Sequence, residues 1–131
     1  IGSLNLLLRE ARGRYVARMD ADDLMLPDRL QVQVDYMEAH PEVDILGGGM
    51  TYFGDAHGTA LPQPGGKPLT FSLFMRGCAL MYPTVMMRRA SIEAHGLRYE
   101  QEFIYAEDYR LWVMALEAGL RLVNLDRPLI K

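Results

Sequence analysis

Three aspartates stand close together early in the chain, at Asp20, Asp22 and Asp23. They follow the apolar run Tyr15-Val16-Ala17, which is typical of a short β-strand. We expect that strand over residues 14–19, with all three carboxylates at its carboxyl end, where open α/β sheets bind their ligands. Close carboxylates repel one another unless a cation lies among them. A hard cation such as Mg²⁺ or Mn²⁺ takes oxygen ligands, and Mg²⁺ is usually held by one or two carboxylates together with substrate phosphates.

Other interpretations of this stretch are open. An acidic turn that leads into a helix would explain the same residues, because aspartate is common in turns and Pro27 suits the first turn of a helix. A phosphotransferase would use Asp20 as nucleophile and Asp22 as acid, although no early Thr or Lys follows to hold a phosphate. An EF-hand loop that starts at Asp20 is excluded, because its sixth and twelfth positions hold Met25 and Gln31 instead of Gly and Glu.

A second acidic pair, Glu107-Asp108, falls in the first turn of a helix that we predict over residues 106–118. Acids are favoured at helix N-termini whatever the function, because they offset the helix dipole. The pair alone therefore indicates no site, and a functional interpretation depends on its flanks. Trp112 is expected to anchor this helix in the core, although Trp112 and Tyr109 could also line a ligand pocket.

The composition narrows the class of protein. A chain of 131 residues, half of them hydrophobic, fits one domain. The net charge is −3 and the Lys and Arg residues are scattered, which argues against a general nucleic-acid binder. The one cysteine, Cys78, allows no intrachain disulfide and favours a reducing, cytoplasmic setting. No apolar run approaches the roughly 20 residues that span a bilayer.

Helices and strands alternate along the chain, which favours an α/β sandwich. We predict helices over residues 3–11, 27–39, 69–76, 89–95 and 106–118, and strands over residues 14–19, 43–46, 50–53, 83–87 and 120–125. Residues 54–68 are predicted to form a loop.

Two details of this pattern are less direct. In the second helix, Leu30, Val34 and Met37 share one face, and polar residues that include Arg29 and Gln33 make up most of the rest. The run Gly47-Gly48-Gly49 is predicted as a flexible break in a strand or between two strands. It lacks the spacing of a phosphate-binding loop, and a bulge or a close backbone approach to a ligand would explain it equally well.

Three blocks occur in an order and spacing that resemble glycosyltransferase family 2, inverting enzymes with the GT-A fold. They are residues 11–23 continuing into Leu26-Pro27-Asp28-Arg29-Leu30, the run Pro83-Thr84-Val85-Met86-Met87-Arg88-Arg89, and the run Tyr105-Ala106-Glu107-Asp108-Tyr109-Arg110-Leu111-Trp112. The resemblance implies a three-layer α/β/α sandwich with a mixed sheet over residues 1–131. It also implies that a preceding strand–helix segment, which holds the nucleotide base, is missing before Ile1.

The resemblance implies a role for each acidic residue. Asp22 would be the metal ligand that binds the nucleotide diphosphate through Mg²⁺ or Mn²⁺. Asp20 would lie near the ribose, and Asp23 would support the metal or its waters. Asp108 would be the catalytic base that deprotonates the acceptor hydroxyl, with Glu107 beside it. A helix N-terminus favours the negative charge that a base needs.

The activity implied is metal-dependent transfer of a sugar, with inversion, from a nucleotide diphosphate to a saccharide or lipid-linked acceptor, in polysaccharide or cell-surface glycan synthesis. Tyr82 departs from the many relatives that have His there, which weakens any acceptor contact at that position.

We expect a cytoplasmic location, with peripheral association at the inner face of the membrane as an alternative. We also expect self-association through an incomplete sheet edge. A non-catalytic fragment that binds a nucleotide or a partner is the competing interpretation.

Overall fold

The computed structural model describes residues 1–55, 57–61 and 65–131. Within these residues the helices are α1 (Gly2–Glu10), α2 (Arg29–Ala39), α3 (Phe71–Phe74), α4 (Arg89–Ala94) and α5 (Glu107–Glu117). The strands are β1 (Tyr15–Ala17), β2 (Ile45–Tyr52), β3 (Gly58–Ala60), β4 (Met86–Arg88) and β5 (Leu122–Ile130). All of the predicted helices are present; α1 begins and ends one residue earlier than predicted, and the other four are shorter. The predicted strand over 83–87 is instead a 3₁₀ turn, Tyr82–Thr84, followed by β4.

The strands form one mixed sheet in the order β1-β4-β2-β3, and β5 pairs with β2 in parallel. β4 is antiparallel to both β1 and β2. It follows that β1, β2 and β5 run in the same direction, and that their carboxyl ends lie at the same end of the sheet. This geometry decides which residues can meet at the site.

Helices cover both faces of the sheet, because neighbouring residues of a strand point to opposite sides. Ile45, Met87 and Leu122 pack with Trp112 of α5 and with residues of α3 and α4. The residue beside each in sequence points the other way, and Leu46, Met86 and Val123 pack with Met37 of α2. The predicted three-layer α/β/α arrangement with a mixed sheet is confirmed.

The buried face of α2 differs from the predicted one. Its buried residues are Arg29, Gln33 and Met37, whereas Leu30 is 42% exposed. Burying a polar side chain costs free energy unless it is hydrogen-bonded, and here both polar side chains bond to backbone carbonyls at the ends of strands. The hydrogen bonds of Arg29 and Gln33 therefore decide which face of this helix is buried, and the hydrophobic periodicity does not.

The triple glycine is part of a continuous strand and not a flexible break. A Cβ atom on Gly48 would lie 2.6 Å from Leu129 Cδ1 and 3.2 Å from the Arg127 carbonyl oxygen. The β2–β5 register shifts within the same three residues. The glycines therefore permit close packing at an irregular point of the sheet, the bulge that was one alternative.

Two further differences concern the ends of strands. The predicted loop over 54–68 contains β3, which pairs with the end of β2, while residues 56 and 62–64 lie outside the described residues. β5 extends five residues beyond its predicted end, to Ile130.

No helix in the described part of the chain is long and apolar enough to cross a bilayer.

One edge of the sheet is open. Among the described residues β1 pairs with β4 alone, and the neighbouring helix α1 has no fully buried residue. Leu7 on this helix is 65% exposed. A cavity of about 370 Å³ lies between α1, β1 and α4.

Candidate active site

The three aspartates lie in a turn directly after β1, as predicted. Asp22 is exposed, and Asp20 and Asp23 are half-buried. The Asp23 backbone N–H donates to the Asp20 carbonyl oxygen at 3.4 Å. We call residues 20–26 the aspartate loop, because the residues that follow the carboxylates fix its position.

The end of β5 holds the far side of the aspartate loop through backbone hydrogen bonds. The Leu24 N–H donates to the Lys131 carbonyl at 2.7 Å, and the Lys131 N–H donates back to Leu24 at 2.8 Å. The Leu26 N–H donates to Leu129 at 3.0 Å. The last strand of the sheet thereby determines the shape of the loop that follows the first strand.

Arg29 of α2 holds the backbone just before the aspartate loop. Its side chain is 1% exposed, and its Nη2 donates to the Arg18 carbonyl oxygen at 2.6 Å. Its Nε donates to Gln33 Oε1 at 3.0 Å, and Gln33 Nε2 donates to the carbonyls of Leu46 and Thr84. Burial lowers the pKa of Arg29, and the negative charge of Asp23 acts in the opposite direction. Sequence reasoning missed this role, although Arg29 belongs to the first family block.

Arg18 contacts the first aspartate from the side. Its guanidinium forms an ion pair with Asp20 Oδ1 and donates to the Met19 carbonyl oxygen. The same guanidinium lies over the ring of Tyr82, 4.4 Å from the ring centroid. Arg18 therefore balances the negative charge of Asp20. Asp22 and Asp23 have no ion-pair partner among the described residues.

Asp23 is less well compensated than Asp20, because the nearby positive charge of Arg29 forms no direct ion pair with it among the described residues. Its Oδ2 is buried and has no hydrogen-bond partner among the described residues. Burial raises the pKa of Asp23, and the negative charges of Asp20 and Asp22 raise it further. A buried oxygen without a donor, beside a second carboxylate exposed to solvent, fits a cation ligand.

The donor set defines the kind of metal that fits. Among residues 1–55, 57–61 and 65–131, no three His, Cys, Asp or Glu side chains converge as a metal cluster. A structural zinc site needs such a cluster. Mg²⁺ does not, since one or two carboxylates suffice when a phosphate ligand and water complete the shell. Asp22 and Asp23 thus fit a Mg²⁺ or Mn²⁺ ion that is shared with a phosphate-bearing ligand.

A groove of about 250 Å³ opens beside these two aspartates. Its other walls are residues 50–53 at the end of β2 and Ile130 and Lys131 at the end of β5. The three walls meet because β1, β2 and β5 run in the same direction. Tyr52 and Phe53 are about half exposed there, which offers a ligand two aromatic surfaces.

The second acidic pair begins α5, as predicted, and stays within its own helix. Asp108 Oδ1 accepts from the Tyr109 N–H at 2.7 Å. Glu107 Oε2 is buried and has no partner among the described residues. Just before the pair, Tyr105 is 93% exposed and has a φ of 70°, a conformation that is unusual for an aromatic residue.

Topology brings the two acidic regions to the same end of the sheet. A short turn at Gly119 joins α5 to β5, so the helix runs back against the strand and its N-terminus lies toward the carboxyl end of β5. Packing connects the two regions as well. The ring of Tyr82 contacts the Arg18 guanidinium on one side of this region. Its centroid lies 6.3 Å from the ring centroid of Trp112 in α5.

Trp112 is fully buried, as expected of a core anchor. The hydroxyl of Tyr109 donates to the Phe74 carbonyl oxygen at 2.9 Å, so it is engaged within the fold. At the N-terminal end of α5, Glu107 and Asp108 are half-buried, and Tyr105 is exposed.

The fold defines a class, the proteins with the GT-A fold. The chain superposes on the crystal structure of S. aureus TarS 1-349 in complex with UDP-GlcNAc with a TM-score of 0.69. The match has 22% sequence identity and covers 96% of this chain and 36% of that one.

Within this class, the model of glycosyl transferase family 2 matches residues 1–96, and the chain belongs to that family. It is 33% identical to the amylovoran biosynthesis glycosyltransferase AmsE of Erwinia amylovora, over 98% of this chain and 48% of the relative. It is 30% identical to the succinoglycan biosynthesis protein ExoO of Rhizobium meliloti, over 92% of this chain and 38% of the relative. The chain spans less than half the length of these relatives.

Proposed function

We propose that this chain forms the metal-binding and acceptor-side part of an inverting glycosyltransferase that uses a nucleotide diphosphate sugar. The observation that carries the proposal is the buried Oδ2 of Asp23, which has no partner among the described residues and lies in a loop that α2 and the end of β5 hold in place. Two relatives are named for the biosynthesis of amylovoran and succinoglycan, and TarS was crystallised with UDP-GlcNAc. These names support a role in polysaccharide or cell-surface glycan synthesis.

On the donor side, Asp22 and Asp23 would hold Mg²⁺ or Mn²⁺. When bound, the ion supplies positive charge that stabilises the departing diphosphate. Asp20 is already paired with Arg18, so it is not available as a full-charge metal ligand. Under this proposal it accepts hydrogen bonds from the ribose hydroxyls of the nucleotide.

On the acceptor side, Asp108 would take the proton from the acceptor hydroxyl as its oxygen attacks the anomeric carbon. The bond from that carbon to the diphosphate oxygen breaks on the opposite face, and the configuration therefore inverts. In the first turn of α5 the Tyr109 backbone N–H donates to Asp108 Oδ1, and Glu107 lies beside it. The acceptor would be a saccharide or a lipid-linked saccharide.

The test is a titration of Mn²⁺ with and without UDP, followed by calorimetry and by the fluorescence of Trp112. It is run on this chain and on the longest form of the protein that its coding sequence provides. We expect UDP binding that depends on Mn²⁺ and is lost in Asp22→Ala. The matched control is Asp35→Ala, which removes an exposed aspartate of α2 that bonds only to Gln31 among the described residues.

The outcomes separate the competing interpretations. Binding that needs the longer form would show that the aspartate loop is functional but that part of the donor site lies outside this chain. No binding by either form would overturn the proposal in favour of a non-catalytic module. Trapping of a phosphate on Asp20 would favour the phosphotransferase, which family membership leaves without support.

We also propose a cytoplasmic location, with the inner face of the membrane as the alternative.

The open edge of β1 and the exposed Leu7 support self-association of the chain when it is studied alone. Sedimentation over a range of concentrations tests this, and we expect Leu7→Glu to reduce the association. A monomer at all concentrations would contradict it.

A further inference from the structure

We infer that Arg18 and Tyr82 are positioning residues of the donor site, which fix the Asp20 carboxylate against the nucleoside part of the donor. The inference rests on the proposed function, because that function places Asp20 at the ribose. It adds two residues that do not contact the donor themselves.

The carboxylate of Asp20 depends on Arg18. Its side chain is 40% exposed, and the guanidinium of Arg18 is its hydrogen-bond partner among the described residues. Arg18 is more buried, with a side chain that is 22% exposed. Its Nε is buried and has no hydrogen-bond acceptor in the part of the chain that the structure describes, so this N–H of the guanidinium has left water without a replacement partner.

Tyr82 explains why Arg18 keeps this position. The guanidinium lies 4.4 Å from the ring centroid, within the range of a cation–π interaction. The ring is in turn fixed by the core, because it packs edge-on to Tyr99 at 6.4 Å and against Trp112 at 6.3 Å. Both of these neighbours are buried. A rigid ring therefore supports the cation that orients the carboxylate.

The chemistry favours arginine specifically. A planar guanidinium can lie over an aromatic ring while its edge donates to a carboxylate and a carbonyl, as Arg18 does to Asp20 and Met19. An ammonium group is a compact charge without such an edge. Arg18→Lys therefore keeps the charge and removes the geometry.

The chain offers a matched control at the other end of the same strand. Arg14 forms an ion pair with Glu38 at 2.7 Å and lies over the ring of Tyr15, 5.6 Å from its centroid. Its side chain is 65% exposed. Arg14→Lys makes the same chemical change in the same kind of contact, away from the aspartate loop.

The experiment measures the Mn²⁺-dependent affinity for UDP and for pyrophosphate in the longest form of the protein. We expect Arg18→Lys to weaken UDP binding by about 10- to 100-fold, the range for loss of an outer-shell partner, and to leave pyrophosphate binding unchanged. Asp20→Asn should give the same selective loss, and the double variant should lose little more than either single variant. Arg14→Lys should match the unaltered protein.

A merely structural role for Arg18 would weaken both ligands together, and that result would overturn the inference. Equal UDP affinity in Arg18→Lys and the unaltered protein would overturn it as well. If the unaltered protein bound neither ligand, the proposed function would fail and the inference with it. Tyr82→Leu gives an independent reading, since it should reproduce the selective loss of UDP affinity if the ring is the support.

Discussion

The aspartate loop and the acidic pair of α5 are both carboxylate sites at one end of the same sheet, yet they are held in opposite ways. Residues 20–26 are fixed from a distance, by Arg29 of α2 and by the backbone of β5. In the acidic pair, Asp108 is held by its own helix, through the Tyr109 N–H. Metal and phosphate recognition needs several oxygens in fixed relative positions, whereas a single base needs one oxygen that reaches a proton. The difference in construction follows the difference in the proposed tasks.

Replacing the base should separate the two sites most clearly. We expect Asp108→Asn to lower turnover by about 10²- to 10⁴-fold, the usual contribution of a general base, with little change in the affinity for UDP and Mn²⁺. Steady-state rates and calorimetry on the longest form of the protein measure the two quantities. Glu117→Gln, at the other end of the same helix, is the control. Turnover close to that of the unaltered protein would remove Asp108 from the mechanism.

The buried arginine should show how far the aspartate loop depends on distant residues. Arg29→Met leaves the Arg18 carbonyl and the Gln33 amide oxygen without their donor. We expect a loss of about 2–4 kcal/mol in the free energy of unfolding, since each unpaired buried group costs about 1–3 kcal/mol. Urea denaturation measures it. Arg127→Ala removes a surface ion pair with Asp28 and should cost under about 1 kcal/mol. Equal effects of the two variants would contradict a special role for Arg29.

Disturbing the close packing of β2 on β5 should also lower the free energy of unfolding, by less than the loss of Arg29 does. Gly48→Ala places a methyl group against Leu129, one of the residues of β5 that bind the aspartate loop. We expect a loss of about 1–3 kcal/mol in the free energy of unfolding, typical of overpacking. Gly2→Ala, with no atom within 4 Å of the new Cβ, serves as the control. A neutral result for Gly48→Ala would show that the sheet yields easily at this point.

The pH dependence of metal binding should differ from that of an ordinary aspartate. The pKa of Asp23 is raised above its usual value of 3.8 by burial and by its acidic neighbours. Protons therefore compete with Mn²⁺ at a higher pH, and the affinity should fall earlier on acidification. In the absence of metal, the same raised pKa means that the folded chain gains stability as the pH falls from neutral toward 3.8.

Asp23→Asn should abolish both trends of this pH dependence. Mn²⁺ titrations and urea denaturation at a series of pH values measure them. An unchanged pH profile in Asp23→Asn would assign the titration to a different carboxylate.

Local sequence was enough to predict the parts of the site that depend on neighbours in the chain. The acidic pair, its helix and the strand that ends in the aspartates follow from spacing and composition. The face of α2 did not, because Arg29 and Gln33 bond to carbonyls of Arg18, Leu46 and Thr84, and those partners are distant in sequence. Periodicity treats both as solvent-facing. The length of β5 was underestimated because its end pairs with Leu24 and Leu26, which no local pattern indicates.

The backbone pairing of Leu24 and Leu26 with the end of β5 also sets an order of events. These residues are separated by most of the chain, and contacts of that kind form late in folding because long loops must close first. As the chain leaves the ribosome, the aspartates emerge long before the strand that shapes their loop. We therefore expect the loop of the proposed metal site to take its final shape late in folding, once the end of β5 has paired with Leu24 and Leu26.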